Sequence, residues 1–426
     1  MKNNWFLTGA LILTLTRPAM ADMYSALQNV YDSNPVIAQQ RAALQSAEAE
    51  LDSARTGYKP YLGISANAGV ARTNALDHTF DTTPTAIGAA FEQPVFKGGA
   101  TMAKIKAAKG VIASQSALLY STQQDVFLQA INAYINVLNA DEVLKLNQNN
   151  QRVLQEYYDL CRQKKEVGVL TDTDLAQASA RLEGAKYQVI QAQAEYDNAL
   201  ETVRRIYGVV DKKYEDVSLD RVKSLFPESV EAAEEYALAH HPAILALQAQ
   251  EAAARENITI ARQSRMPSID IKASAMQMDD LPVLDRVRDG RVGIYLSMPL
   301  YDKGNASANV DKVRFTVAGI QEQQINARRV ISEQLHQAWN MYEAQTSAIS
   351  AANAGVRAAT LALDGVRQQQ QSGRRTVLDV LNAEQEVLNS KVSLARARHG
   401  KVSAYFAVLA ATGRLNADAL GIKVKE

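Results

Sequence analysis

The side chains most capable of chemistry in this sequence are few and scattered. His240-His241-Pro242 is the most ligand-like cluster. Adjacent histidines on a helix point to different faces, and a proline behind them marks a helix start, so capping or exposure is expected and no metal is assigned. Asp172 and Asp174 resemble a carboxylate pair for acid–base work, but at a helix start they are better explained by the positive end of the helix dipole. Cys161 is the single cysteine; a reactive thiol needs an exposed, electropositive setting, and this one falls on an apolar seam described below. Gly400-Lys401-Val402 lacks the upstream glycine and the Ser/Thr of a phosphate-binding loop. G-x-S-x-G, H-E-x-x-H, G-x-G-x-x-G and paired C-x-x-C are all missing. The expectation is a protein that is not an enzyme and uses no cofactor.

The elements around these residues are long and repetitive. Asn34-Pro35 returns as His241-Pro242 and Lys59-Pro60 as Met266-Pro267, offsets of 242 − 35 = 207 and 267 − 60 = 207. Gln93-Pro94 returns as Met298-Pro299, Gly168 as Gly373, Asp174 as Asp379 and Tyr207-Gly208 as Thr412-Gly413, all at an offset of 205. One two-residue slip aligns the halves, which predicts two copies of one supersecondary unit.

Residues 1–21 read as a signal peptide: Lys2, an apolar stretch from Trp5 to Thr16 too short to span a bilayer, and a small-x-small Ala19-Met20-Ala21. Asp22 would follow the cleavage, where a lipid anchor needs a cysteine. Beyond it no run of 18 uncharged apolar residues offers a membrane helix. Lys+Arg and Asp+Glu both total 46, so net charge gives no reason to expect nucleic acid as a partner.

Gly98 to Lys165 and Gly304 to Ser372 contain no proline. As helices each reaches about 100 Å at about 1.5 Å per residue. Three seams repeat at spacings of four and three. One runs Ile331, Leu335, Ala338, Tyr342, Gln345, Ile349, Ala352, Val356, Ala359, Leu363, Val366. Its counterpart runs from Val126 to Cys161, with Asn147 and Gln151 as its polar members, and a third runs Leu175 to Ile206. That spacing predicts coiled-coil packing, with many alanines for close approach. Each half also holds two segments of period two. Leu62, Ile64, Ala66, Ala68 and Val70 alternate with polar or small residues, and their partner runs from Thr85 to Phe96. Ile269 to Ala275 alternates likewise, and its partner carries Val292, Ile294, Leu296, Met298 and Leu300 on one side. About ten residues per strand suit a tilted transmembrane strand, with Tyr58, Tyr61, Phe96 and Tyr301 near the ends as an interfacial girdle. Four strands cannot close a barrel, and an open edge in lipid is forbidden, so several chains must share one.

This order resembles the TolC family of outer-membrane channels for type I secretion and multidrug efflux. Asn34-Pro35-Val36-Ile37 resembles its helix start and Tyr58-Lys59-Pro60-Tyr61-Leu62 its first strand. Gln93 to Gly99 and Met298 to Gly304 resemble its strand exits, and Gly168 to Asp174 and Gly373 to Leu381 its two helix–helix turns. The resemblance implies a mainly α protein with a β-barrel portion. The assembly would be a homotrimer with a 12-stranded barrel, four strands per chain, in the outer membrane, continuous with an α-helical barrel across the periplasm. The implied division is 22–208 for the first repeat (strand pair 61–96, long helix 98–165, return helix 171–206), 209–228 for an equatorial linker, 229–414 for the second repeat (strand pair 268–301, long helix 304–372, return helix 376–412) and 415–426 for a tail. It also implies a periplasmic adaptor and an inner-membrane transporter of ABC or RND type as partners. The turns at Gly168 and Gly373 would form a closable periplasmic entrance. There Arg375 matches the family's latch arginine, Asp174 its carboxylate partner and Asp379 an acid of the pore lining. Asn382 and Gln370 depart from the pattern, standing where some members carry a second acid and a linking tyrosine. Val292, Ile294 and Leu296 would face lipid. The alternative reading is a periplasmic coiled-coil scaffold without a channel, in which the strand pairs would not meet lipid.

Overall fold

The computed structural model describes residues 23–75, 78–208, 214–282 and 285–423. The expected signal peptide, 1–21, lies outside them, as do 209–213 of the linker and the last three residues of the tail. The helices are α1 (Met23–Ser33), α2 (Pro35–Arg55), α3 (Ala100–Glu166), α4 (Asp172–Tyr207), α5 (Val230–His240), α6 (Pro242–Arg262), α7 (Asn305–Gln371) and α8 (Val377–Ala411). The strands are β1 (Tyr61–Ala68), β2 (Ala71–Ala75), β3 (His78–Thr82), β4 (Thr85–Lys97), β5 (Ser268–Asp279) and β6 (Arg286–Ser297). Both α3 and α7 run 67 residues.

Every position of the three sequence seams is buried or half-buried. On α3 the seam meets α4 in its lower half, while α6 covers the upper half; α7 packs on α8 and α6. Gly110 shows why small residues line these contacts: a Cβ there would sit 2.9 Å from the Cβ of Ala253 on α6. Cys161 is packed among Leu154, Ala178, Leu182 and Leu381, and burial raises its thiol above the ordinary value.

The sheet is antiparallel in the order β1-β4-β5-β6, so β1 and β6 each pair on one side only. Its helices all leave from one end, and the hairpin loops lie at the other. β6 stops at Ser297, short of the expected 301, because Pro299 has no N–H to donate to a ladder; Leu300 and Tyr301 continue as exposed chain. The loop between β1 and β4 holds a feature absent from the sequence reading, the hairpin β2–β3, clasped by the Arg72–Asp81 fork.

The largest core lies midway along the helices, where α1, α3, α4, α8 and the tail converge on Phe127, Tyr134, Phe406 and Leu409. Tyrosine hydroxyls tether the irregular 214–225 segment: Tyr134 donates to the Glu215 carbonyl (2.9 Å), Tyr24 to Ser218 (2.8 Å) and Tyr405 to Val222 (3.2 Å). Phe226 stacks on Tyr405 and Trp339. The two histidines diverge. His240 stacks on Tyr236, while His241 is buried and its Nδ1 accepts from the Ala243 N–H at 3.2 Å, capping α6. Its other nitrogen lies 3.4 Å from the Gln124 amide, which donates to the Ala410 carbonyl at 2.6 Å.

Burial holds the His241 imidazole neutral, lowering its pKa to about 4. The unfolded chain therefore takes up a proton near the ordinary value of about 6.5 while the folded one does not. Stability should be full above about pH 6.5 and fall by up to about 3 kcal/mol as pH drops towards 4. Guanidinium unfolding across this range should show the slope in the wild type and a flatter profile in His241→Gln; parallel profiles would refute the assignment.

Candidate functional site

Two regions combine exposure with ordered chemistry: the turns at the far end of the long helices and the two faces of the sheet. At both turns the chain closes in the same way. Gly168 (φ +77°) and Gly373 (φ +73°) take the left-handed conformation that ends a helix. The Gly168 N–H donates to Lys165 and the Val169 N–H to Lys164; Gly373 and Arg374 repeat this on Gln370 and Gln369. Capping boxes then start the return helices. The Asp174 N–H donates to Thr171 Oγ1 at 3.2 Å, and Asp174 Oδ2 accepts from the Thr171 N–H at 3.0 Å. Thr376 and Asp379 reproduce these bonds at 3.2 and 2.9 Å. The Thr376 backbone N–H, then its hydroxyl, and then Arg375 hold the Asp379 carboxyl below its ordinary range.

Asp174 and Asp379 thus hold equivalent places, although the family resemblance assigns them separate roles. Arg375 donates from Nε to Gln369 Oε1 at 3.2 Å and lies 3.7 Å from Asp379 Oδ1. No ion pair joins it to Asp174 within the described residues of one chain; the carboxylate beside it is that of its own turn, Asp379. Both cap bonds to Asp174 use Oδ2. The first turn has Leu170 where the second has Arg375, so Asp174 Oδ1 lacks the neighbour that Asp379 Oδ1 has. Asn382 Oδ1 accepts from Arg181 at 2.6 Å, joining α8 to α4. Gln370 is placed at the end of α7, its carbonyl accepting from Gly373.

The sequence reading missed a further contact just above the turns. Arg367 on α7 forms an ion pair with Glu384 on α8, whose side chain is only 12% exposed. Tyr157 of α3 packs against the clusters on both sides. Burial first, and the charges around it, push its hydroxyl up to about 12. Opposite charges flanking two seams that fold back on each other were the available signal.

The sheet has two unlike faces. Directly opposed residues share a face. The register Leu62↔Phe91↔Ala273↔Val292 and Ile64↔Ala89↔Ala275↔Gly290 gives one apolar side. Val292, Ile294 and Leu296 lie on it at 82%, 76% and 69% exposure, values a folded chain in water rarely gives three consecutive outward residues. The other side carries Glu92, Lys97, Asp270, Lys272 and Arg291. Lys97 pairs with Asp270 at 2.6 Å, Lys272 with Glu92 at 3.4 Å and Arg291 with Asp289 at 2.9 Å. No helix among the described residues is long and apolar enough to cross a membrane.

A sheet that is apolar outside and charged inside, mounted on helices about 100 Å long, defines the class of outer-membrane exit channels. The chain belongs to the outer membrane efflux protein family, whose pattern matches residues 26–209 and 235–414. It is 30% identical to the outer membrane efflux protein BepC of Brucella suis over 99% of this chain and 91% of that one. It is 26% identical to the outer membrane protein TolC of Escherichia coli over 90% and 80%. The Campylobacter jejuni CmeC outer membrane channel shares the fold with a TM-score of 0.82 at 16% identity, covering 97% and 94%. The protein is accordingly an outer-membrane channel of the efflux and secretion type, with a periplasmic extension.

Proposed function

We propose that three copies of this chain close into one passive duct, each contributing four strands to a 12-stranded barrel and its long helices to a tunnel across the periplasm. The observation that carries this reading is the pair of unpaired edges. Strand β1 is open on one side and β6 on the other, and a sheet edge has no hydrogen-bond partner in lipid. Side-by-side copies satisfy both at once, β6 of each against β1 of the next, a head-to-tail contact that closes into a ring. The helices follow suit: α7 packs chiefly on α5, α6 and α8, leaving Phe315 and Leu361 exposed for a neighbour. The two halves of the chain are read as copies of one unit, 22–208 and 229–414, on either side of the 209–228 linker. Energy and cargo come from an inner-membrane transporter of ABC or RND type through a periplasmic adaptor. The name of BepC, an outer membrane efflux protein, supports export as the activity, with protein or small molecules as the cargo classes of this reading.

Under this reading Val292, Ile294 and Leu296 meet lipid and Ser297 the lumen. Ile294→Arg should cost about 2–4 kcal/mol near mid-bilayer and reduce the assembled trimer, whereas Ser297→Arg should be tolerated. Equal trimer yields from the two variants would count against the barrel.

The turns form the entrance, and Arg375 with Asp174 forms its latch between neighbouring hairpins. The uncommitted Oδ1 of Asp174 and the Nη2 of Arg375 support this. A charged hydrogen bond there contributes about 1.5–3 kcal/mol, a range suited to a reversible closure, and loss of one partner shifts the population towards open. Arg375→Ala should raise single-channel conductance of purified trimers in planar bilayers. Asp174→Gln, which keeps the capping box, should do the same, with trimer yield unchanged. Unaltered conductance in both would leave these as ordinary helix-end charges.

A further inference from the structure

Two cations sit on the apolar side of the sheet, Arg286 and Arg288, and only Arg286 has a salt-bridge partner there. Arg288 shares the apolar face, since the register runs Ile87↔Gln277↔Arg288. It is exposed, and its Nε donates to Gln277 Oε1 at 3.1 Å. The carboxylates nearby are otherwise engaged: Asp279 pairs with Arg286, and Asp289, on the opposite face, with Arg291. No ion pair involves Arg288 among the described residues. The Nη fork of Arg288 thus has no carboxylate at salt-bridge distance, and only the Asp279 charge, already paired with Arg286, acts on it through space, in a surface where a charge is disfavoured except near the interface.

Its height explains how it is tolerated. Arg288 lies two residues into β6 from the hairpin loop, at the end of the sheet opposite the helices. With the helices in the periplasm, this is the outward rim of the barrel. Directly below it the opposed residues are small, Ala89, Ala275 and Gly290. Flanked by Ile64 and Ile87, they leave a shallow apolar hollow of about 580 Å³ that Arg288 and Gln277 border. A forked cation above an apolar trough matches a ligand with a phosphate at one end and hydrocarbon chain at the other, because guanidinium binds phosphate bidentately.

The geometry points to a binding site for a phosphate-bearing lipid of the outward leaflet, its phosphate on Arg288 and an acyl chain in the Ala89–Ala275–Gly290 hollow. The inference rests on the reading that this face meets lipid. One site per chain gives three per trimer, each beside the β6 edge where the next copy's β1 would join. A lipid bridging that junction would seal the subunit boundary from outside.

The test is native mass spectrometry of delipidated full-length trimers titrated with diphosphoryl lipid A or with the same lipid stripped of its phosphates. Bound lipids are counted only on assembled trimers, so a folding defect does not imitate a binding defect; the Ile294→Arg comparison separately reports whether the face meets lipid at all. Wild type should take up to three phosphorylated lipids with a preference of about tenfold or more, the size of one charged contact. Arg288→Gln should lose that preference, and Arg291→Gln, on the lumen face, should keep it. Retention of the preference in Arg288→Gln, an equal loss in Arg291→Gln, or full displacement by millimolar inorganic phosphate would each overturn the site.

Discussion

The backbone at the edges of a four-stranded sheet governs the rest of this structure. Each unpaired N–H and C=O of β1 and β6 is solvated in water but costs several kcal/mol in hydrocarbon. A chain whose sheet is apolar on one face therefore has to find another edge before that face can enter a membrane. The helices carry the same demand down their length. An α7 of 67 residues buries one stripe, chiefly against α6 and α8, and leaves Phe315 and Leu361 exposed away from it. In the proposed shared barrel, assembly and membrane insertion are linked, because the same edges must be paired for both.

Rigidity and yielding are divided along the helices. Midway, large side chains and tyrosine-to-carbonyl bonds lock α1, α3, α4, α8 and the 214–225 segment together. Towards the turns the packing divides into two small clusters of leucine, valine and alanine around Cys161 and Leu363, and polar contacts join the helices beside them: the Arg367–Glu384 ion pair and the Arg181–Asn382 hydrogen bond. Such contacts are worth less than a packed core and exchange partners readily. The capping boxes hold each turn by its own local bonds, so in the proposed entrance an opening need not melt either turn. The position of His241, buried where α3, α6 and α8 meet, belongs to the rigid part.

Most of the fold was legible because it is periodic. Seams at spacings of four and three, strands at spacing two, and glycines at the ends of long helices are local signals, and each corresponds to an observed element. The β2–β3 hairpin was not legible: among Arg72, Thr73, Asn74 and Thr79 to Asp81 only Phe80 is apolar, so no alternation shows, and the strands are joined by their ladder, the Arg72–Asp81 pair and the Thr79–Asn74 bond. The strand end at Ser297 was overrun because Met298 and Leu300 continue the alternation past a proline that cannot. In the site, the turn glycines and the identities of Asp174, Arg375 and Asp379 could be read, but the shared capping role of the two acids could not be separated from a latch role by type alone. Pairs such as Arg367–Glu384 and Arg181–Asn382 are set by how the hairpins fold onto each other, which no short window contains.

The central claim is that β6 of one chain pairs with β1 of the next. It is tested most directly by disulfide scanning in a Cys161→Ser background, with one cysteine at Ser65 on β1 and a second moved through positions 289, 291, 293 and 295 on β6, all on the same face of the sheet as Ser65. Oxidation of outer membranes followed by non-reducing electrophoresis should give covalent dimers and trimers for the pair in register and none for either single cysteine. Monomer alone at every position, with both cysteines accessible to a thiol reagent, would contradict the shared barrel.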